Sequence, residues 1–302
     1  LSASQSGSKP LKIVTTIFPE YDWVREILGD KADHAEVTML LDNGVDLHSY
    51  QPTADDIIKI SDCDLFIYVG GESDGWVEDA LKEAANKDMQ VINLLDVLGK
   101  QVKEEEVVEG MEAEEEESED EDEPEYDEHV WLSLKNAETL CNAITDALEE
   151  IDPANKDAYA ANAASYLEKL AALDGEYQTV VDNAARKTVL FGDRFPFRYL
   201  VDDYGLRYYA AFAGCSAETE ASFETISFLA GKVDELGLPC VLTIEGAQHK
   251  IAETIVQNSA AKNQSILTLD SMQSTTSADA ANGTTYLSVM ESNLDVLKQA
   301  LN

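Results

Sequence analysis

Basic residues are scarce in this 302-residue chain: 21 Lys and Arg stand against 60 Asp and Glu, for a formal net charge of −39. A phosphate backbone would repel such a chain, which argues against nucleic-acid binding and makes cations the natural partners of its field. Cysteine is sparse as well. Cys63, Cys141, Cys215 and Cys240 show no C-x-x-C spacing, so no thiolate zinc cluster is indicated. Cys63 and Cys240 each lie in an apolar run and read as buried thiols, and no disulfide pairing follows from the sequence. Long apolar runs are lacking too; none approaches the ~20 residues that a membrane-spanning helix needs. Also absent is H-E-x-x-H, the helical zinc-protease signature, and with it any second pair at metal-ligand spacing.

What remains is an ordinary globular composition, 44% hydrophobic and 8% aromatic, long enough for two domains with cores of their own. Residues 1–8, from Leu1 to Ser8, are small and polar, as a tether left by a removed export signal would be, and 1–11 is expected to be flexible. β-rich apolar runs at 12–18, 36–41, 63–71 and 90–94 alternate with helical spacings at 21–28, 53–61 and 76–85. Such alternation predicts a parallel sheet covered on both faces, with ligands at the carboxyl ends of its strands. The alternation restarts after residue 187, with strands at 188–193, 207–213, 240–245 and 265–270 and helices at 195–204, 222–236, 249–260 and 285–301. Between the two halves lie an amphipathic helix, 133–151, and then apolar residues at three- and four-residue steps from Tyr159 to Val180. The fold class is therefore α/β: two Rossmann-like lobes, 12–151 and 187–302, joined by one long backbone helix within 152–186, with a cleft between the lobes. The backbone helix is expected to restrain the lobes, so that they close little on a ligand.

Two local patterns stand at the cleft. Tyr126-Asp127-Glu128-His129-Val130-Trp131 places a histidine at the entry to a helix, and Asp46-Leu47-His48-Ser49-Tyr50-Gln51-Pro52-Thr53 does the same. Neutral imidazole is the commonest metal ligand, although a single such histidine is as readily a helix cap. Between 104 and 128 roughly two-thirds of the positions are Asp or Glu, which predicts an extended, disordered loop, either solubilising or a weak collector of cations. Glu245 and Asp270 each end a strand. Arg194, Arg198 and Arg207 are expected to form structural salt bridges with Asp202, Asp203 or another second-lobe acid. Trp131, Phe195, Phe197, Tyr208 and Tyr209 should be core or cleft wall.

From residue 12 to residue 301 the chain resembles the zinc- and manganese-specific substrate-binding proteins of ABC transporters, the group with a rigid helical backbone. Asp127-Glu128-His129-Val130-Trp131-Leu132-Ser133-Leu134-Lys135-Asn136 is close to that family's D-P-H-x-W-L-D-P-x-N, and His48-Ser49-Tyr50-Gln51-Pro52-Thr53 to its H-x-(Y/F)-x-P-(S/T). The resemblance implies that His48 and His129 are metal ligands and that Asp270 is a third. Family members carry His or Glu in an (F/S)-(H/E)-(D/G)-A-F segment, where this chain has Phe191-Gly192-Asp193-Arg194-Phe195. Neither Gly192 nor Arg194 can coordinate, which leaves Glu245, His249 and Asp193, in that order, to complete the set. Two imidazoles with carboxylates suit Zn2+, and Mn2+ if both carboxylates bind. The implied protein is no enzyme. It is an extracellular receptor, on the cell surface or in a periplasm, tethered by an N-terminal lipid, monomeric, delivering Zn2+ to an ABC permease. A metal-buffering surface adhesin, or a metallohydrolase using Glu245 as general base, are the readings of a different class.

Overall fold

The computed structural model describes residues 9–112, 124–246 and 248–302. Among the described residues eight strands form two four-stranded parallel sheets. The first contains β1 (Leu11–Thr15), β2 (Ala35–Met39), β3 (Leu65–Tyr68) and β4 (Gln90–Asn93), in the order β2-β1-β3-β4. The second contains β5 (Thr188–Phe195), β6 (Arg207–Ala213), β7 (Cys240–Ile244) and β8 (Ser265–Leu269), in the equivalent order β6-β5-β7-β8. Each sheet thus reverses direction beside its first strand, and crevices open at the carboxyl ends there. His48 follows β2, Cys215 follows β6, Glu245 follows β7 and Asp270 follows β8 directly.

Between the sheets runs the helix Lys156–Asp182, 27 residues and therefore about 40 Å long. Its buried side chains are Tyr159, Ala163, Tyr166, Leu170, Leu173, Tyr177 and Val181, a single stripe at three- and four-residue intervals. That stripe joins one apolar cluster spanning both lobes, from Ile13 and Trp23 through Trp131 to Phe191, Met272 and Leu297. A smaller cluster of Leu190, Ala211, Phe212, Leu229, Val241 and Ile255 fills the outer part of the second lobe. Among the described residues no helix is long and apolar enough to cross a membrane.

Several boundaries differ from the sequence reading by two or three residues, two of them at residues with a double role. Pro19 does not simply end the first strand; it lies in the opening turn of the helix Phe18–Leu28, where an absent N–H costs nothing. Strand β5 runs on to Phe195, so the following helix starts only at Arg198. The cause is a register shift between Phe191 and Arg194. There the Asp193 carboxylate accepts the backbone N–H groups of Arg194 and Ile244, at 2.8 and 3.0 Å. The arms of the acidic segment are also more ordered than its charge suggests. Glu104 bridges Tyr126 in antiparallel fashion, and Glu112 accepts hydrogen bonds from Ser222 and Thr225 at the start of the helix Phe223–Leu236. The expected disorder thus does not describe 104–112 or 124–128, and its centre, 113–123, lies outside the described residues.

Besides Asp127 and Glu128 beside His129, the first lobe buries the carboxylates of Glu20, Asp22 and Asp74. Burial lifts Asp22 and Asp74 to about 7, against the hydrogen bonds each accepts from a backbone N–H, those of Tyr286 and Gly70. Unfolded, both ionise near pH 4, so between pH 4 and 7 the folded chain holds more protons and its stability falls as pH rises. Each group contributes up to ~1.4 kcal/mol per pH unit across that window. The urea midpoint should therefore be higher at pH 5 than at pH 8, and a flat or rising profile would show these acids to be ionised in the fold.

Candidate metal centre

Each motif position around His129 has a structural task. Ser133 caps the helix Leu134–Ile151 by accepting the Asn136 N–H at 3.1 Å, and the Asn136 amide returns to the Val130 carbonyl, also at 3.1 Å. These bonds fix the short turn Val130–Leu132, and with it the direction of His129. The His129 side chain is fully buried. Asp127 Oδ1 accepts both the His129 N–H, at 3.0 Å, and Nδ1–H, at 2.8 Å. Tyr199 in turn donates to the Asp127 carbonyl at 2.7 Å.

His48 is held from the other side. Asp46 accepts its N–H at 2.8 Å, and its Nδ1 lies 2.7 Å from Ser73 Oγ. Ser73 spends its own proton on Glu128, at 2.6 Å, so its oxygen accepts from His48 Nδ1–H. Gly71, with φ of 80°, makes this chain of bonds possible, because a Cβ there would stand 2.5 Å from Glu128 Oε1.

The two networks therefore assign both Nδ1 atoms as donors and leave both Nε2 lone pairs free. The Nε2 atoms face each other at 3.3 Å. Two lone pairs at that distance repel unless a proton or a metal ion lies between them. Nitrogens each ~2.0–2.1 Å from a tetrahedral Zn2+ stand about 3.3 Å apart, which is the separation found. Burial, with His129 next, pushes His48 down to about 4 and keeps it a neutral donor. Burial is the largest influence on His129 and opposes its charge, but Asp127, Glu128 and Asp46 together outweigh it and raise that ring. Asp127→Ala should weaken metal binding about 10–100-fold, the usual loss when a ligand histidine is no longer oriented, as read by competition with a chromogenic chelator.

Cys215 is the third residue at this point: among the described residues its Sγ and the two imidazoles form the group of ligating atoms lying within 4.8 Å of one another. Burial, then Glu105 and Glu128, push its thiol above the ordinary range. Sequence reading did not single it out, since Gly214-Cys215-Ser216 bears no spacing relation to another ligand. The available signal was its place just after a strand end, the criterion applied to Glu245 and Asp270.

Those two acids are engaged by the turn that follows β8. Glu245 accepts Ser271 Oγ at 2.5 Å and Ser271 N–H at 3.0 Å, and burial, aided by the Asp270 charge, lifts it to about 8. Asp270 accepts the Met272 N–H at 2.8 Å. The Ser271 carbonyl accepts Trp131 Nε1–H at 2.9 Å, which ties the acid pair to the turn carrying His129. Neither acid belongs to the group formed by the histidines and Cys215. Of the other two candidates, Asp193 is engaged by backbone, and His249 stands at the head of the helix Lys250–Asn258 with a buried Nδ1 that has no partner. Gly192 packs on Ala252, and Arg194 donates to Asp46 at 3.2 Å, so its salt bridge crosses to the first lobe rather than staying in the second. Arg198 pairs with Glu106 and Asp202.

Two cavities meet at the site. One, about 740 Å3, is lined by His48, Arg194, Cys215 and Lys250 among others. The second, about 310 Å3, carries Glu72, Glu105, Glu125 and Glu128 beside His48 and Cys215.

A family model described as zinc-uptake complex component A, periplasmic, matches residues 13–300. The chain belongs to this zinc-uptake component A family. Within it, the high-affinity zinc uptake system protein ZnuA of Bacillus subtilis is 33% identical over 303 residues, covering 99% of this chain and 90% of its own. The zinc-binding lipoprotein AdcA of Streptococcus pneumoniae serotype 4 is 33% identical over 299 residues, and there the matched region spans only 57% of the relative. The Zn(II)-bound ZnuA-like domain of Streptococcus pneumoniae AdcA superposes with a TM-score of 0.74 at 30% identity, covering 97% of this chain and 99% of that domain. Two parallel-sheet lobes on a helical linker are thus the architecture of this family of uptake components.

Proposed function

We propose that the chain is the capture component of a metal-uptake system, binding one Zn2+ at His48 and His129 and delivering it to an ABC permease. The observation that carries this reading is the pair of Nε2 lone pairs aimed at one point 3.3 Å apart, each fixed by a proton donated elsewhere. Relatives named for zinc binding and zinc uptake support the metal, and the lipoprotein among them supports a lipid-tethered receptor outside the membrane. The role is one of binding without a catalytic step, carried out by a monomer. Glu245, held by Ser271, and Asp270, held by the Met272 N–H, serve in this reading as a polar pair of the second lobe rather than as ligands. The acid-lined cavity is the approach for the cation, since its four glutamates surround the exposed edge of His48.

Native mass spectrometry with Zn2+ and Mn2+ in competition tests the reading. One zinc should stay bound in the presence of excess manganese. Manganese retained in its place would move the chain to a manganese receptor. Many weak ions of either metal would mean a buffer working through the acidic segment, and would overturn the proposal.

A further inference from the structure

The geometry points to Cys215 as a direct ligand of the captured metal, so that the site is a His2Cys site selective for thiolate-accepting ions. This rests on the receptor reading above and goes beyond it, because it names the donor that replaces the non-coordinating Gly192 and Arg194 and the class of metal that follows.

Three observations converge. The Cys215 Sγ lies within 4.8 Å of a ring nitrogen of each histidine, so a side-chain adjustment of about 1 Å at most brings all three to the ~3.6 Å separation that a tetrahedral zinc spans between sulfur and nitrogen. It is also shared by both cavities, as is His48, so the sulfur stands at the wall where they meet. Finally, the loop is built to reach that wall. A Cβ on Gly214 would stand 2.8 Å from the Phe195 carbonyl oxygen, 3.1 Å from His129 Cε1 and 3.2 Å from Pro196 Cα. Only a residue without a side chain lets the backbone lie on the His129 ring, and the next residue is the cysteine. The Cys215 N–H is directed at Glu105 Oε1, at 3.4 Å, which holds the loop from the acid-lined side.

Binding then proceeds with a defined proton count. The ion accepts one lone pair from each Nε2, the S–H bond breaks as the metal–sulfur bond forms, and the proton leaves to solvent. No oxidant or reductant is needed. Thiolate is a soft donor and favours Zn2+, Co2+ and Cd2+ over the harder Mn2+, whose preferred donors are oxygens. Discrimination between zinc and manganese would thus reside in the sulfur, while the histidines supply affinity for both.

Cobalt substitution of the full, reduced chain tests this directly. The Co2+ form should show a near-ultraviolet thiolate-to-cobalt charge-transfer band that vanishes in Cys215→Ser and persists in Cys63→Ser, Cys141→Ser and Cys240→Ser. Zinc affinity should drop at least tenfold in Cys215→Ser while manganese affinity changes less than threefold. Circular dichroism of the variant checks that it folds, and the wild-type spectrum stands without it. Cobalt bound with ligand-field bands but no charge-transfer band would overturn the cysteine assignment and leave the receptor reading in place. Cobalt binding that is indifferent to His48→Ala and His129→Ala would overturn both.

Discussion

Replacing His48 or His129 by alanine should remove tight zinc binding. Four protein ligands together hold a structural zinc with ~10–16 kcal/mol, so one ligand carries about 3 kcal/mol, or roughly a hundredfold in affinity. His48→Ala is the cleaner change, because its ring is only partly enclosed, with 17% of the side chain exposed. It leaves Ser73 and Glu128 bonded to each other and opens the site to water from the acid-lined cavity. His129→Ala does more. It deletes a fully buried ring, leaves Asp127 without its Nδ1–H donor, and removes the edge against which Trp131 packs at 5.4 Å. Both should lower affinity, but only the second should lower the melting temperature of the metal-free protein. Competitive titration against a chelator measures the first effect and calorimetry the second. Zinc affinity unchanged in either variant would sink the site.

Trp131→Ala should destabilise the fold more than either histidine replacement. The side chain is fully buried in the cluster common to both lobes. Its Nε1–H donates to the Ser271 carbonyl of the second lobe at 2.9 Å, while its own carbonyl accepts Tyr286 O–H at 2.6 Å. Truncating a buried aromatic costs ~3–5 kcal/mol through lost transfer energy and the cavity left behind. Orphaning a buried carbonyl adds about 1–3 kcal/mol. Trp131→Phe separates the two parts: it keeps most of the packing and loses only the hydrogen bond, so it should cost nearer the second figure. Urea unfolding gives both numbers. A loss below about 1 kcal/mol for the alanine variant would mean that Trp131 does not hold the lobes together, since fully buried tryptophans cost several times that.

The eight strands were legible because each is a short β-rich run ended by turn residues, and the alternation with helices left a doubly wound sheet as the natural outcome. The linking helix was legible from its stripe. Boundaries failed where a residue served two purposes. Pro19 reads as a strand terminator and is also a good opening residue for a helix. Phe195 fits a helical spacing but belongs to β5, because the Asp193 carboxylate replaces the backbone partners that the register shift removes. At the proposed site, His48 and His129 stand out in the sequence because the residues around them repeat a pattern with local work to do: capping, turn closure, orientation of the ring. Cys215 carries no such pattern. Its nearness to the histidines arises from a contact between Gly214 and His129, two residues far apart in sequence, and contacts of that kind leave no local trace. The same holds for Arg194, whose partner Asp46 lies in the other lobe.

The shared apolar cluster has a consequence for how this molecule comes apart. A protein drawn as two lobes suggests two melting units, yet side chains from both sheets and the linking helix pack into one cluster without a seam. Cooperativity follows the continuity of packing rather than the outline of the fold. The section with packing of its own is the outer part of the second lobe, where Ala211 and Phe212 of β6 meet the helices Phe223–Leu236 and Lys250–Asn258. If any part opens without the rest, it is that section, since its packing is its own. It is also the section that leads into Gly214 and Cys215, while both histidines stay anchored in the main body. The Cys215 wall of the cleft thus belongs to the packing unit able to part from the rest, and the histidine wall to the one that is not.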